Sequence, residues 1–548
     1  MRKAVSLLLA MLALAGSATA QEYSFNRGDT LRGKLLPERT CFDVRWYDLE
    51  IKVDPAAQTI SGRNVIRFTA TTDFDKMQLD LFKEMHVDRI EMEGKECTYG
   101  REYNAVFVDL PRQVRANETA EITVFYGGAP HVAVRAPWDG GFVWSRDKAG
   151  KPWVGVACEG TGASLWWPCK DHLSDEPDSM RIATIVPDGL MSVSNGNLRE
   201  KRLHSPGWTL WDWRVTYPIN SYNVTVNIAD YVQLHDTYTN ASGTHDLDYY
   251  VLSANKALAE KQFQQVKPMM ECYEQHFGEY PFWRDGYALV ETPYLGMEHQ
   301  GAIAYGNKYK KGYDGLDLMG LGFDYIIIHE TGHEWWGNSV STDDHAELWI
   351  HESFCTYAEA VYVECRWDEA TAENYMMGHR MNIANIDPIV GPRDVNFEDH
   401  ASSDMYYKGA WMLHSLRHML DTDEQWFGAL HDFATEFRMK VTNTNEVINW
   451  WSAKTGRDLG PFFRQFLYHK NPPRLEYKVK GKGKKVKFSY RWVADEEGFD
   501  MPIRVLLDDE RSERLYPTAE WQKATLVVEP GKFAVDNRHF YHLSKSLD

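Results

Sequence analysis

Fourteen residues of this 548-residue chain, Tyr325-Ile-Ile-Ile-His-Glu-Thr-Gly-His-Glu-Trp-Trp-Gly-Asn338, constrain its fold and chemistry more than any others. His329 and His333 are four apart, so on a helix their imidazoles leave one face a turn apart and can grip a single metal ion. Glu330, rotated by about 100°, can reach a water on that ion. The apolar run before His329 supplies the buried setting a metal helix needs.

A third ligand decides what kind of site this is. Position 339 is Ser339, so the pattern with a third histidine six residues on is absent. Glu352, in Trp349-Ile-His-Glu-Ser-Phe354, follows His333 after eighteen residues, room for a turn and a second helix packed antiparallel to the first. His329, His333 and Glu352 then make a His₂Glu site with the fourth position open, the arrangement of a catalytic zinc. Cobalt and manganese accept the same donors. His351 beside the ligand is expected to face away from the metal. Glu347 is either a partner orienting a ligand histidine or an exposed loop acid.

The rest of the chain reads as several domains. Its length suits two to four, and 43% hydrophobic with 25% charged residues is a composition for packed cores rather than disorder. From about residue 40 to 250 the pattern has period two: Ile66, Phe68 and Ala70, then Ile122, Val124 and Tyr126, then Val224, Val226 and Ile228. This is an antiparallel β domain. After Ser253 the period becomes helical, with Phe263, Val266, Met270, Tyr273 and Phe277 on one stripe and Pro268 placed to kink it. Alternation returns at Val486, Phe488, Tyr490 and Trp492, after a hairpin turn at Gly481-Lys482-Gly483. The expected fold is multidomain α+β, divided as signal 1–20, β domain 21–252, a mainly helical metal domain 253–470 and a small β-sandwich 471–548.

Arg2 and Lys3, an apolar stretch and Ala18-Thr19-Ala20 form a cleavable export signal, so the mature chain is expected to begin at Gln21 in a periplasm or outside the cell, without a membrane segment. Losing Arg2 and Lys3 moves the net charge from −19 to −21, which disfavours nucleic acid as a partner. Seven cysteines leave at least one thiol unpaired within a chain. Cys355 and Cys365 on one helix would be about 15 Å apart, too far to bridge. Cys158 with Cys169 is the plausible local pair, with buried free thiols the alternative.

With these motifs the chain resembles the gluzincin aminopeptidases, the family of aminopeptidase N and the leukotriene-epoxide hydrolase, in a short three-domain form lacking the helical C-terminal domain of many relatives. The eighteen-residue spacing is similar to theirs. Leu295-Gly-Met-Glu-His299 resembles the family's Gly-x-Met-Glu-Asn exopeptidase motif, with Leu295 and His299 as departures. Tyr406-Tyr-Lys-Gly409 resembles its Tyr-x-Lys-Gly segment. Cys158-Glu159, Trp167-Pro-Cys169 and Asp175-Glu-Pro177 resemble the β-domain stretch that helps form the amine pocket.

The resemblance implies a thermolysin-like catalytic domain and one Zn2+ per chain. Glu330 would be the general base and Tyr406 the donor that stabilises the transition state. Gly296, Met297, Glu298 and Glu159 would bind substrate, the two acids holding a free α-ammonium so that only the first peptide bond reaches the attacking water. The implied partners are peptides with a free N-terminus. The alternatives are an epoxide hydrolase with aminopeptidase activity and an inactive peptide-binding receptor.

Overall fold

A computed structural model describes residues 23–397, 400–481 and 483–547. The expected signal and Gln21 lie outside the described residues, as does Lys482 of the expected turn. No helix among the described residues is long and apolar enough to cross a membrane.

The N-terminal part is built on a ten-stranded sheet, in which Phe42–Asp54 pairs antiparallel with Thr59–Ala70 and parallel with Ser179–Pro187. Ile66, Phe68, Ala70, Ile122, Val124 and Tyr126 are buried, because alternation puts every second side chain on the core face. A four-stranded sheet, ordered Met191–Val193, Asn227–Ala229, Pro152–Ala157, Gly141–Arg146, meets the second body, with Trp153 Nε1 donating to the Glu291 carbonyl at 3.2 Å.

Two expectations change here. Around Val224, Val226 and Ile228 only Asn227–Ala229 is strand, and the intervening Asn223, Thr225 and Asn227 are as buried as the apolar residues. Asn223 and Thr225 are hydrogen-bonded rather than solvated: Asn223 Nδ2 donates to Asn338 Oδ1 at 2.7 Å and Thr225 Oγ1 to the Val156 carbonyl at 3.1 Å. The expected boundary at 252 is also not where the sheets divide. The hairpin Tyr231–Asn240/Gly243–Leu252 belongs to a five-stranded sheet with Tyr287–Glu291, Ile303–Tyr305 and Gly296–Met297, so it opens the second body.

That body is mainly helical. The Phe263 to Phe277 stripe is buried throughout. Its helical run breaks at the 3-10 turn Phe263–Gln265, ahead of Pro268, which sits in the first turn of the next helix, Val266–Phe277. A first-turn residue needs no intrahelical donor, so the proline starts a helix instead of kinking one. Cys272 on this helix is bonded to Cys365, while Cys158 and Cys169 are free and buried. The pair spans 93 residues of sequence, joined because the two helices pack, which local spacing does not reveal. C-terminal strands form a four-stranded and a three-stranded sheet, with Val486, Phe488, Tyr490 and Trp492 turned inward to a core continuous with the helices.

Candidate active site

Three helices carry the site: α1 (Tyr325–Gly332), α2 (Trp349–Arg366) and α3 (Asp404–Met419). Asp324 caps α1 by accepting the Ile326 amide at 3.1 Å, and His333 follows at the helix's last turn. Gly409 lets α3 approach α2, since a Cβ there would meet Ser353 Oγ at 1.8 Å. Lys408 anchors the same helix, donating at 2.9 Å to the carbonyls of His469 and Lys470, and burial pushes it down to about 8. The Tyr-x-Lys-Gly segment thus combines a cavity-lining ring, a tether and a close helix contact.

His329 Nε2 and His333 Nε2 are 3.3 Å apart, and each lies 3.5 Å from Glu352 Oε2. His333 Nδ1 is 2.9 Å from the Trp336 carbonyl, which only accepts, so the proton sits on Nδ1 and the Nε2 lone pair faces Glu352. His329 Nδ1 is fixed the same way by Glu359 Oε1 at 2.7 Å. Glu352 Oε2 is buried without a hydrogen-bond partner. Three convergent acceptors at this separation call for a cation: zinc bonds of about 2.0–2.1 Å in a tetrahedron put ligand atoms about 3.3 Å apart. The donor set therefore fits Zn2+.

Beside the triad, ligand atoms of Glu298, Glu330 and His333 lie within 4.8 Å of one another. A Cβ on Gly296 would stand 2.5 Å from Glu330 Oε1, so only glycine admits the Glu330 carboxylate there. Burial raises Glu330 to about 7. Glu298 accepts from Tyr222 Oη at 3.2 Å, while the Glu298 carbonyl accepts from Asn338 Nδ2 at 2.7 Å. Glu334 fixes the following turn, accepting the Gly301 amide at 3.1 Å and Tyr280 Oη at 2.6 Å. Burial raises Glu298, and raises Glu159 strongly, with the neighbouring Glu298 carboxylate adding to the effect on Glu159. Crowded carboxylates of this kind favour a bound cation.

Glu159 comes from the β domain, and it lines one cavity of about 590 Å³ together with Gly296, Met297, Glu298, Glu330 and Tyr406. The Tyr406 ring faces His329 at 6.3 Å, and burial and the Glu352 carboxylate keep its hydroxyl protonated. Trp138 stands exposed at the rim, whereas Trp166 and Trp167 fill the core. His299 is buried outside the cavity lining.

His351 turns to the Thr342 amide, accepting at 3.0 Å. Glu347 orients no ligand and is not exposed: it is buried, paired with Arg393 and accepting the Thr444 amide at 2.7 Å. Glu359 takes that orienting role. It lies seven residues after Glu352 on α2, two turns on along the same face, and that spacing was a signal available in the sequence. Tyr222, Glu334 and Asn338 left no such signal.

Residues 261–466 match the Peptidase family M1 domain, and residues 44–223 match the Peptidase M1 N-terminal domain. The chain is 25% identical over 308 residues to endoplasmic reticulum aminopeptidase 1 of Mus musculus, covering 53% of this chain and 32% of that protein. Aminopeptidase N of Streptomyces lividans is 23% identical over 319 residues, 54% of this chain and 36% of the relative. For aminopeptidase B of Homo sapiens the figures are 23% over 373 residues, 63% and 52%. The chain thus spans a third to a half of these curated relatives. An M1 zinc metallopeptidase variant from Deinococcus radiodurans, solved with a Tyr-Ser-Ala substrate, shares the fold with TM-score 0.67 and 20% identity, covering 80% of this chain and 98% of that one. A two-domain M1 variant solved with L-tryptophan gives 0.69, with the same identity and coverage.

Proposed function

Because this chain belongs to peptidase family M1, we propose that it is an exported zinc aminopeptidase, hydrolysing the first peptide bond of peptides with a free N-terminus. His329, His333 and Glu352 would hold one Zn2+, which when bound would supply Lewis acidity at the scissile carbonyl and the attacking water. Glu330 takes the proton from that water and returns it to the departing amine, a task suited to a base near pH 7. Tyr406 donates its hydroxyl to the oxyanion that develops on the carbonyl. Glu298 and Glu159 hold the α-ammonium, which sets the distance from the substrate N-terminus to the bond that breaks.

The observation that carries this reading is the convergence of Glu298, Glu330 and His333 within 4.8 Å, since an ammonium held by Glu298 then stands one residue from the metal ligands. Export is supported by the N-terminal pattern of Arg2, Lys3 and Ala18-Thr19-Ala20 and by the Cys272–Cys365 bond, which suits an oxidising compartment. The test compares free and N-acetylated aminoacyl reporters with and without a chelator. Cleavage of the free reporter alone, lost on chelation and restored by zinc, is expected. Equal turnover of both reporters overturns the exopeptidase reading.

A further inference from the structure

Glu298 and Glu159 are held in different ways. Glu298 has a side-chain partner in Tyr222, whereas Glu159 has a buried Oε1 with no hydrogen-bond partner. The backbone that follows Glu159 is gripped by side chains from elsewhere in the chain.

The grip is the short helix Arg27–Gly33, near the start of the described residues. Asn26 caps it, with its side chain accepting the Gly28 amide at 2.6 Å and the Asp29 carboxylate accepting the Asn26 amide at 2.7 Å. Arg32 projects from the last turn, and its Nη2 donates to the Thr161 carbonyl and, at 3.4 Å, to the Gly160 carbonyl. These are the two residues that follow Glu159. The guanidinium also lies 3.8 Å from Asp171 Oδ2, and Asp171 accepts the Ser164 amide at 3.0 Å and Ser164 Oγ at 2.5 Å, holding the far side of the same loop. Gly162 has φ +86°, and a Cβ there would strike Arg32 Nη2 at 2.1 Å, so the loop is shaped around the guanidinium.

The helix is itself firmly seated. Gln78 Nε2 donates to the Leu31 carbonyl at 2.8 Å, and the fully buried Arg39 donates to the Arg32 carbonyl, to Asp80 Oδ2 at 2.9 Å and to the Asp171 carbonyl at 2.8 Å. The same arm also meets the chain segment that leads to Phe397 at the cavity. Gly33 packs so closely on the backbone of Val395 and Asn396 that a Cβ would lie 2.2 Å from the Asn396 nitrogen. Asn396 Nδ2 adds a second donor to the Gly160 carbonyl at 3.3 Å. Tyr23 packs edge-on against Phe397, a cavity-lining ring, with centroids 4.8 Å apart.

We propose that Arg32 is a positioning residue for the ammonium end of the site: the N-terminal arm holds the Glu159 loop against the Phe397 rim and so fixes where the substrate N-terminus binds. This rests on the reading of Glu159 as an ammonium anchor. An arginine suits the task because a guanidinium stays charged in a part-buried setting, and its Nη2 is the one atom that meets the two successive carbonyls and lies nearest the Asp171 carboxylate.

The test uses the zinc-loaded protein and a free aminoacyl reporter. Arg32→Met should raise KM about tenfold, as a misplaced anchor does, with kcat within about twofold of the parent. Arg32→Lys should recover part of that loss, and Asn396→Ala should shift KM the same way but less. Glu159→Gln should raise KM like Arg32→Met, and the double variant should be no worse than either single one, because both act on one contact. If Glu159→Gln raises KM while Arg32→Met and Asn396→Ala leave it unchanged, the positioning proposal falls alone. If Glu159→Gln leaves KM unchanged, the anchor reading falls and takes the positioning role with it. A fall in kcat with KM constant for Arg32→Met also overturns it, and Asn396→Ala keeps the test open should Arg32→Met fold poorly.

Discussion

The proposed metal end and the proposed ammonium end of the cavity are built on different principles. At the metal end, the donors come from two packed helices within twenty-four residues of chain, His329 to Glu352, and each histidine is locked by a partner on its other nitrogen. At the ammonium end, Glu159 and Glu298 are 139 residues apart, supplied by two bodies and tied by side chains from both. The first is a rigid local unit and the second a seam. Substitutions at the metal end should therefore act on turnover or metal content, and those at the seam on substrate affinity.

The largest expected effect is at the proposed base. Glu330→Gln should lower kcat about 10³-fold with zinc content unchanged, measured by steady-state kinetics and elemental analysis. A rise in KM alone would erase the contrast between the two ends. Next, Tyr406→Phe should reduce kcat about 10²-fold with little change in KM, the pattern of a donor used only in the transition state. For Glu298→Ala, the expected change is a KM raised about 10- to 100-fold, the range for losing a charge-assisted hydrogen bond, with kcat much less affected.

Glu359→Gln should weaken zinc binding about tenfold in a chelator competition, while Glu347→Gln leaves it unchanged. The smallest effect concerns the seam. Glu176, beside Ser341 of the helical body, is pushed up to about 8 by burial. Its folded pKa lies above the unfolded value, so the folded state holds the proton more tightly, and stability falls as pH rises from about 4.5 through 8. Glu176→Gln should therefore raise Tm relative to the parent at pH 9 and leave it nearly unchanged at pH 4.5. An equal shift at both pH values would remove Glu176 from the pH response of the seam.

Legibility in the sequence followed the same division. The His329/His333 spacing and the alternation at Ile66, Phe68 and Ala70 were readable because helix and strand periods are local properties. The five-stranded sheet was misdivided at 252 because the hairpin's own alternation is silent about which body its second strand, Gly243–Leu252, will join. Val224 to Ile228 misled for a related reason: polar residues buried at a seam look the same in sequence as polar residues facing water. Glu359 was legible from its seven-residue spacing to Glu352 on α2, whereas the pairing of Glu347 with Arg393 and the Thr444 amide depends on chain brought in from elsewhere.

By itself, then, the sequence determined the local periods and the shared face of His329 and His333, since side chains four residues apart on a helix must share a face whatever surrounds them. The tertiary structure decided that Cys272 bonds Cys365, that Tyr222 meets Glu298, and that Arg32 grips the loop bearing Glu159. Those pairings depend on how separately formed surfaces dock, and many different stretches of chain have the polar groups to fill such a seam.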